Sequence, residues 1–258
     1  MVLSICSDLD FNDIKNLINK SYFLEKQTKP FENRLYKNKS ILEPQTDIRT
    51  KALNRKLEQT HIALGFRTTN MFNDDKYLLD IARVILAGNM SSRLFTELRE
   101  KRGLTYNIGI DASEYEKNGH FTILTSVDKK RLIEYTEDGV KKPGALKIIN
   151  EELKNMIDTG ITPGELVKAK GYIDGKLVLV TEDALNISDY NGKIVGFNFE
   201  HFIPIKKLYE IKYSLITIEQ VNNVIKKYFK RNRLSLYLIG DKVDKTIDKA
   251  ADIFKDIV

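Results

Sequence analysis

Gly88-Asn89-Met90-Ser91-Ser92-Arg93-Leu94-Phe95-Thr96-Glu97-Leu98-Arg99-Glu100-Lys101-Arg102-Gly103-Leu104-Thr105-Tyr106 joins a helix to a strand through a Lys-Arg-Gly turn. A short helix is expected from about Ser92 to Arg102, stopped by Gly103. The helix before it starts at an Asn73 cap and carries Tyr77, Leu78, Ile81, Ala82, Ile85 and Leu86 up to Gly88. After it, Thr105 to Glu114 and His120 to Val127 flank Glu116-Lys117-Asn118-Gly119. Asn-Gly between strand-like runs predicts a hairpin, because both residues tolerate positive φ.

Outward from this centre, the pattern continues. Thr60 to Thr68 alternates as a strand with Ile62, Leu64 and Phe66 on one face. A helix is expected from about Ala145 to Thr159, closed by Gly160. Thr162-Pro163-Gly164-Glu165 is a capping box with proline at the first helical position, opening a helix to about Glu182. Further helices are expected over Ala184 to Phe197 and, from the Thr217/Gln220 capping box, to Phe229. Leu234 to Gly240 reads as the last strand, followed by a terminal helix. Antiparallel strands with helices inserted between them predict an α+β fold, a layered antiparallel sheet covered by helices.

The N-terminus carries a second signal. Val2 to Ser7 reads as a short buried strand, with Cys6 in its core, and Asp10 caps a helix to about Phe23. Leu3-Ser4-Ile5-Cys6-Ser7-Asp8 matches Leu236-Tyr237-Leu238-Ile239-Gly240-Asp241, and the same shift superposes Ile14 on Ile247. Both read as strand, turn and amphipathic helix, so the chain is expected to begin with the end of one structural half and to finish with the end of another. Residues 1–23 are therefore assigned to a missing first half, 24–57 to a linker and 58–258 to a second half.

Composition excludes several classes. The chain has 258 residues, 42 basic against 36 acidic side chains and one cysteine. The basic clusters lack aromatic interleaving or a zinc-finger signature, so no nucleic-acid role is expected. No apolar run approaches the roughly 20 residues that span a membrane, and no secretory leader is evident, so a cytoplasmic location is expected. His61, His120 and His201 stand far apart in sequence, which argues against a local metal motif.

The Gly88–Tyr106 stretch resembles the G-x-x-S-R-L-F-x-E-x-R-E-K-x-G-L-x-Y region of the inverzincin metallopeptidases, the pitrilysin, insulin-degrading enzyme and mitochondrial processing peptidase family. The resemblance extends to the Thr-Pro-Gly-Glu-Leu helix start at 162–166, to Glu182-Asp183, to Leu236–Asp241 and to Met1–Phe23. It implies two homologous α+β halves around a peptide chamber, with zinc held in the first half by H-x-x-E-H and a distal glutamate. This sequence has no H-x-x-E-H, so it matches the second, non-catalytic half, which is expected to bind no zinc and to be inactive alone. The resemblance carries two substrate-binding roles over to Arg99 and Tyr106, which would contact peptide backbone near the scissile bond. Arginine supplies a permanent cation with several fixed donors and tyrosine a neutral donor, and both can stabilise an oxyanion. A partner bearing H-x-x-E-H, a peptide substrate and a homo- or hetero-oligomer are implied. The alternative is an inert scaffold subunit of the same fold.

Overall fold

The structure, a computed structural model, describes residues 2–21, 44–197 and 202–257. Among them, a five-stranded sheet runs in the order β1-β7-β2-β4-β3. Its strands are β1 (Arg49–Asn54), β2 (Gln59–Thr68), β3 (Ile108–Glu114), β4 (Gly119–Asp128) and β7 (Leu234–Gly240). β2 pairs antiparallel with both β4 and β7, and β3 with β4, whereas β1 runs parallel to β7. The helices are α1 (Phe11–Asn19), α2 (Asp75–Ala87), α3 (Ala145–Asp158), α4 (Pro163–Val180), α5 (Ala184–Gly196), α6 (Ile218–Tyr228) and α7 (Ile247–Asp252). A small hairpin of β5 (Glu134–Glu137) and β6 (Val140–Pro143) fills the stretch before α3.

One face of the sheet makes the core. Ile62, Leu64 and Phe66 of β2, Phe121 and Ile123 of β4, and Leu236 and Leu238 of β7 are buried beneath α2, α3 and α6. The period of two puts the intervening residues on the opposite face. There Leu124 and Tyr237 remain exposed. Phe229, just past α6, stacks on Phe66 at 4.7 Å and tilts against Phe121 at 4.9 Å, fixing that helix end to the sheet. Such ring pairs add about 1 kcal/mol beyond the area they bury.

Helix starts follow their local chemistry. The Thr162 and Thr217 side chains accept from the Glu165 and Gln220 amides, and each N3 side chain returns a bond to its cap, so both capping boxes form. Gly160, at φ 78°, closes the α3–α4 connection.

Several expectations need correction. Arg49–Asn54, within the stretch read as linker, is β1; it is an edge strand exposed along most of its length, so it shows no apolar alternation. Of the linker, residues 24–43 lie outside the described residues, as does the expected end of the first helix near Phe23. Val2–Ser7 forms no strand, because no neighbouring strand among the described residues pairs with it, and Cys6 is exposed rather than core. The hairpin forms where expected, but neither Asn118 nor Gly119 has positive φ. Gly119 instead opens β4 at a point of close approach: a Cβ there would lie 2.2 Å from the Thr69 carbonyl oxygen.

Candidate functional site

The stretch between α2 and β3 is wound more loosely than an α-helix. Phe95–Glu100 forms a π-helical turn, with the Lys101 amide donating to Thr96 O at 2.9 Å. Single π turns recur at functional positions because the extra residue re-aims the side chains around it. Gly103, at φ 57°, ends the turn; its amide donates to Arg99 O and that of Leu104 to Leu98 O. Leu94 and Leu98 anchor the turn in the core.

Arg93 fastens the start of this segment. Its Nε donates to Glu165 Oε1 at 2.6 Å, while Nη2 donates to Glu165 Oε2 at 2.8 Å and to Gly160 O at 3.0 Å. Burial pushes the Glu165 carboxyl up, but the Arg93 and Thr162 hydrogen bonds outweigh it and hold it below the usual range. The same carboxylate raises Arg93. This fork joins the π turn to the start of α4.

The cations on the turn divide by partner. Lys101 and Arg102 both bond the Glu97 carboxylate, and those two bonds hold Glu97 below its ordinary value. Arg99 has no carboxylate partner among the described residues. Its guanidinium carbon lies 4.8 Å from the Phe95 ring and 4.8 Å from the Tyr106 ring. Stacking on ring faces orients a guanidinium without using its in-plane N–H donors. Arg99 is half-buried, and Tyr106 is 80% exposed.

The structure thus brings the two sequence-predicted residues together, though Tyr106 does not open a strand as expected. β3 begins at Ile108, and Tyr106 sits in a bend held by the buried Thr105. The Thr105 hydroxyl meets Asn107 O at 2.8 Å, Ser126 O at 2.9 Å and Thr125 Oγ1 at 2.8 Å, replacing ladder bonds with side-chain bonds. Phe95 and Thr105 escaped the sequence reading. Phe95 lies four residues before Arg99, the spacing that puts both side chains on one helical face, and that was the available signal.

Asn107 continues the site onto the open face of the sheet. Together with His61, Leu124, Ser126, Tyr237 and Ile239 it lines a shallow, mostly apolar groove of about 450 Å³. The arrangement can hold an extended chain by its backbone at Arg99 and an apolar side chain in the groove.

Among the described residues no three His, Cys, Asp or Glu side chains are grouped as ligands. His61 pairs across the ladder with Ser126, and His120 Nε2 lies 3.2 Å from Asp111 Oδ2. His201 is outside the described residues. No helix among the described residues is long and apolar enough to cross a membrane.

Residues 1–172 match the family described as Peptidase M16 inactive domain. The zinc protease YmxG of Bacillus subtilis, itself uncharacterised, is 30% identical over 211 residues, covering 80% of this chain and 48% of that protein. A Rickettsia felis zinc protease, also uncharacterised, is 32% identical over 180 residues, 69% of this chain and 40% of that protein. The chain thus spans about half the length of the curated relatives it matches. Among solved structures, a protease from Helicobacter pylori superposes with a TM-score of 0.74 at 17% identity, covering 91% of this chain and 54% of that one. The peptidase M16 inactive domain from Pseudomonas fluorescens does so with a TM-score of 0.63 at 21% identity, covering 77% and 44%.

Proposed function

Because the chain belongs to the M16 peptidase family, as an inactive domain, we propose that it is the substrate-binding half of a zinc-dependent endopeptidase. The zinc-binding H-x-x-E-H half lies in the same polypeptide or in a separate subunit. Zinc, held there, supplies the activated water of such enzymes. This chain's side chains lack a matching donor set among the described residues, so its part is to bind and orient peptide.

The observation that carries the reading is the uncommitted guanidinium of Arg99. Its neighbours Lys101 and Arg102 are spent on Glu97, while Arg99 is held only by rings among the described residues. Fixed donors without a protein acceptor stabilise charge that develops on a substrate oxygen. Tyr106 shields one face of Arg99 and offers a second donor from the solvent side. The groove beyond Asn107 takes an apolar substrate side chain.

The test is peptide hydrolysis by the chain joined with an H-x-x-E-H half, with and without Arg99→Ala. Loss of turnover supports the reading. An unchanged rate favours the alternative, an inert scaffold of the same fold. A chain of Complex III2 from Candida albicans shares that fold, with a TM-score of 0.64 at 12% identity.

A further inference from the structure

We infer that Arg49, Arg67 and Arg233 form a carboxylate-binding subsite at one end of the open sheet face. The peptides this half takes would then carry a carboxylate about six residues from the side chain seated in the apolar groove. The inference rests on the proposed peptide-binding role and specifies the substrate class within it.

Three strands bring the arginines together. In β2, Phe66 and Thr68 are buried, so Arg67 between them points to the open face. Ile48 and Ala52 pack against the core, which turns Arg49 and Lys51 of β1 the other way. Arg49 opens β1 opposite Ser235, and Ser235 pairs in turn with Gly65, two residues before Arg67. Arg233 stands one residue beyond the last β2–β7 pair, Phe66–Leu234. Its Nη1 donates to Arg67 O at 3.3 Å, and its guanidinium carbon lies 5.2 Å from the Tyr228 ring at the end of α6. That stack holds the Arg233 cation against the end of the sheet.

The three charges act on one another. Arg67, half-buried, is held below its ordinary value first by burial and then by the charges of Arg49 and Arg233. Like charges gathered where solvent is partly excluded repel, and a bound anion relieves that repulsion. Two acids at this end of the sheet have other partners: Asp111 lies 3.2 Å from His120 Nε2, and Asp47 accepts from Arg231. A guanidinium presents paired in-plane donors that match the two oxygens of a carboxylate.

The register sets the spacing. His61, in the apolar groove, and Arg67 lie on the same face of β2, six residues apart. At about 3.4 Å per residue they are about 20 Å apart, and an extended peptide lying along β2 has the same rise. Between them the open-face positions of β2 are Ala63 and Gly65, whose small side chains leave a low track. The anion a peptide brings to the far end of that track is a carboxylate, from an acidic side chain or from its C-terminus.

The experiment reads binding of labelled peptides to the purified full chain by fluorescence anisotropy. Amidated peptides carry one phenylalanine and, about six residues away on either side, Glu, Gln or Lys. A further peptide has Gln throughout and ends in a free carboxylate about six residues after the phenylalanine. The Glu amide or the free acid is expected to bind at least about 10-fold tighter than the Gln amide, and the Lys amide more weakly than either. Preference for the Glu amide identifies an acidic side chain, and preference for the free acid identifies the C-terminus. Arg67→Gln and Arg233→Gln should each reduce the preference to under about 3-fold. Arg49→Gln, at an exposed edge position, should lower it as well and carries the test if the other variants lose the native circular dichroism spectrum. Equal binding of all the peptides, a preference indifferent to the arginines, or no binding at about 1 mM would overturn the inference. Arg99→Ala should weaken the Glu and Gln amides alike and leave their ratio unchanged. A lost preference beside an Arg99→Ala chain that abolishes turnover would sink this subsite alone. An arginine-dependent preference beside a silent Arg99→Ala would sink the proposed function alone.

Discussion

Arg99 holds its guanidinium carbon 4.8 Å from the ring centroid of Tyr106, seven residues further along the chain. Three devices maintain this pairing: the π turn, the left-handed Gly103, and the buried Thr105 hydroxyl that bends the backbone before β3. The cation is thereby oriented while its N–H donors stay available.

Tyr106→Phe separates the ring from the hydroxyl. The stack survives and the exposed position keeps the change in unfolding free energy under about 0.5 kcal/mol. In the assembled peptidase, turnover is expected to fall while the Michaelis constant changes little, since a donor engaged in the transition state is lost. Steady-state kinetics of the Tyr106→Phe assembly beside the unaltered one checks this; equal turnover would leave Tyr106 as only a platform for Arg99.

The Arg93–Glu165 fork predicts a stability effect. Arg93→Ala leaves a partly buried carboxylate without its partner and should cost about 3 kcal/mol in denaturant unfolding. Glu165 titrates below its ordinary value in the fold. Its stabilisation is therefore present above the unfolded carboxyl value and lost as pH falls through the folded one. The variant's deficit should be full at pH 7 and shrink on acidification.

Glu114 predicts the opposite sign. Burial raises it first and Asp80 adds to that, against the opposing charge of Lys76. An acid raised in the fold is deprotonated earlier in the unfolded chain, so it costs stability as pH rises above the unfolded value. Glu114→Gln should stabilise the chain at pH 7, and the gain should vanish once pH falls below the unfolded carboxyl value. Thermal unfolding across that range reads the difference.

Gly119 and Gly109 lie on paired strands but differ in surroundings. A Cβ at Gly119 meets the Thr69 and Ser113 carbonyl oxygens, whereas one at Gly109 meets nothing within 4 Å. Gly119→Ala should cost about 2 kcal/mol or more, and Gly109→Ala should be near neutral. Equal losses in urea unfolding would contradict the register of this hairpin.

These residues also show what a sequence can reveal. The Thr162–Glu165 and Thr217–Gln220 caps were legible because a capping box is complete within four residues. β2 and β7 were legible because a half-buried strand writes its faces into alternation. β1 was not, since an exposed edge strand has no face to encode. Val2–Ser7 showed a short apolar run, which states that the segment suits burial but not whether a neighbouring strand exists to supply it. Arg99 and Tyr106 were marked by family resemblance. Phe95 and Thr105 were not, because their roles depend on the extra residue in the π turn and on a hydroxyl reaching across to Ser126.

The central claim is that this half contributes peptide contacts to zinc chemistry housed elsewhere. The most direct measurement is hydrolysis of a fluorogenic peptide by the purified chain, by an H-x-x-E-H half, and by the two together. The account predicts no turnover by the chain alone, restored turnover in the mixture, and a loss of roughly 100-fold or more in kcat when the chain carries Arg99→Ala. Zinc-dependent hydrolysis by the purified chain alone, or full activity of the Arg99→Ala mixture, would contradict it.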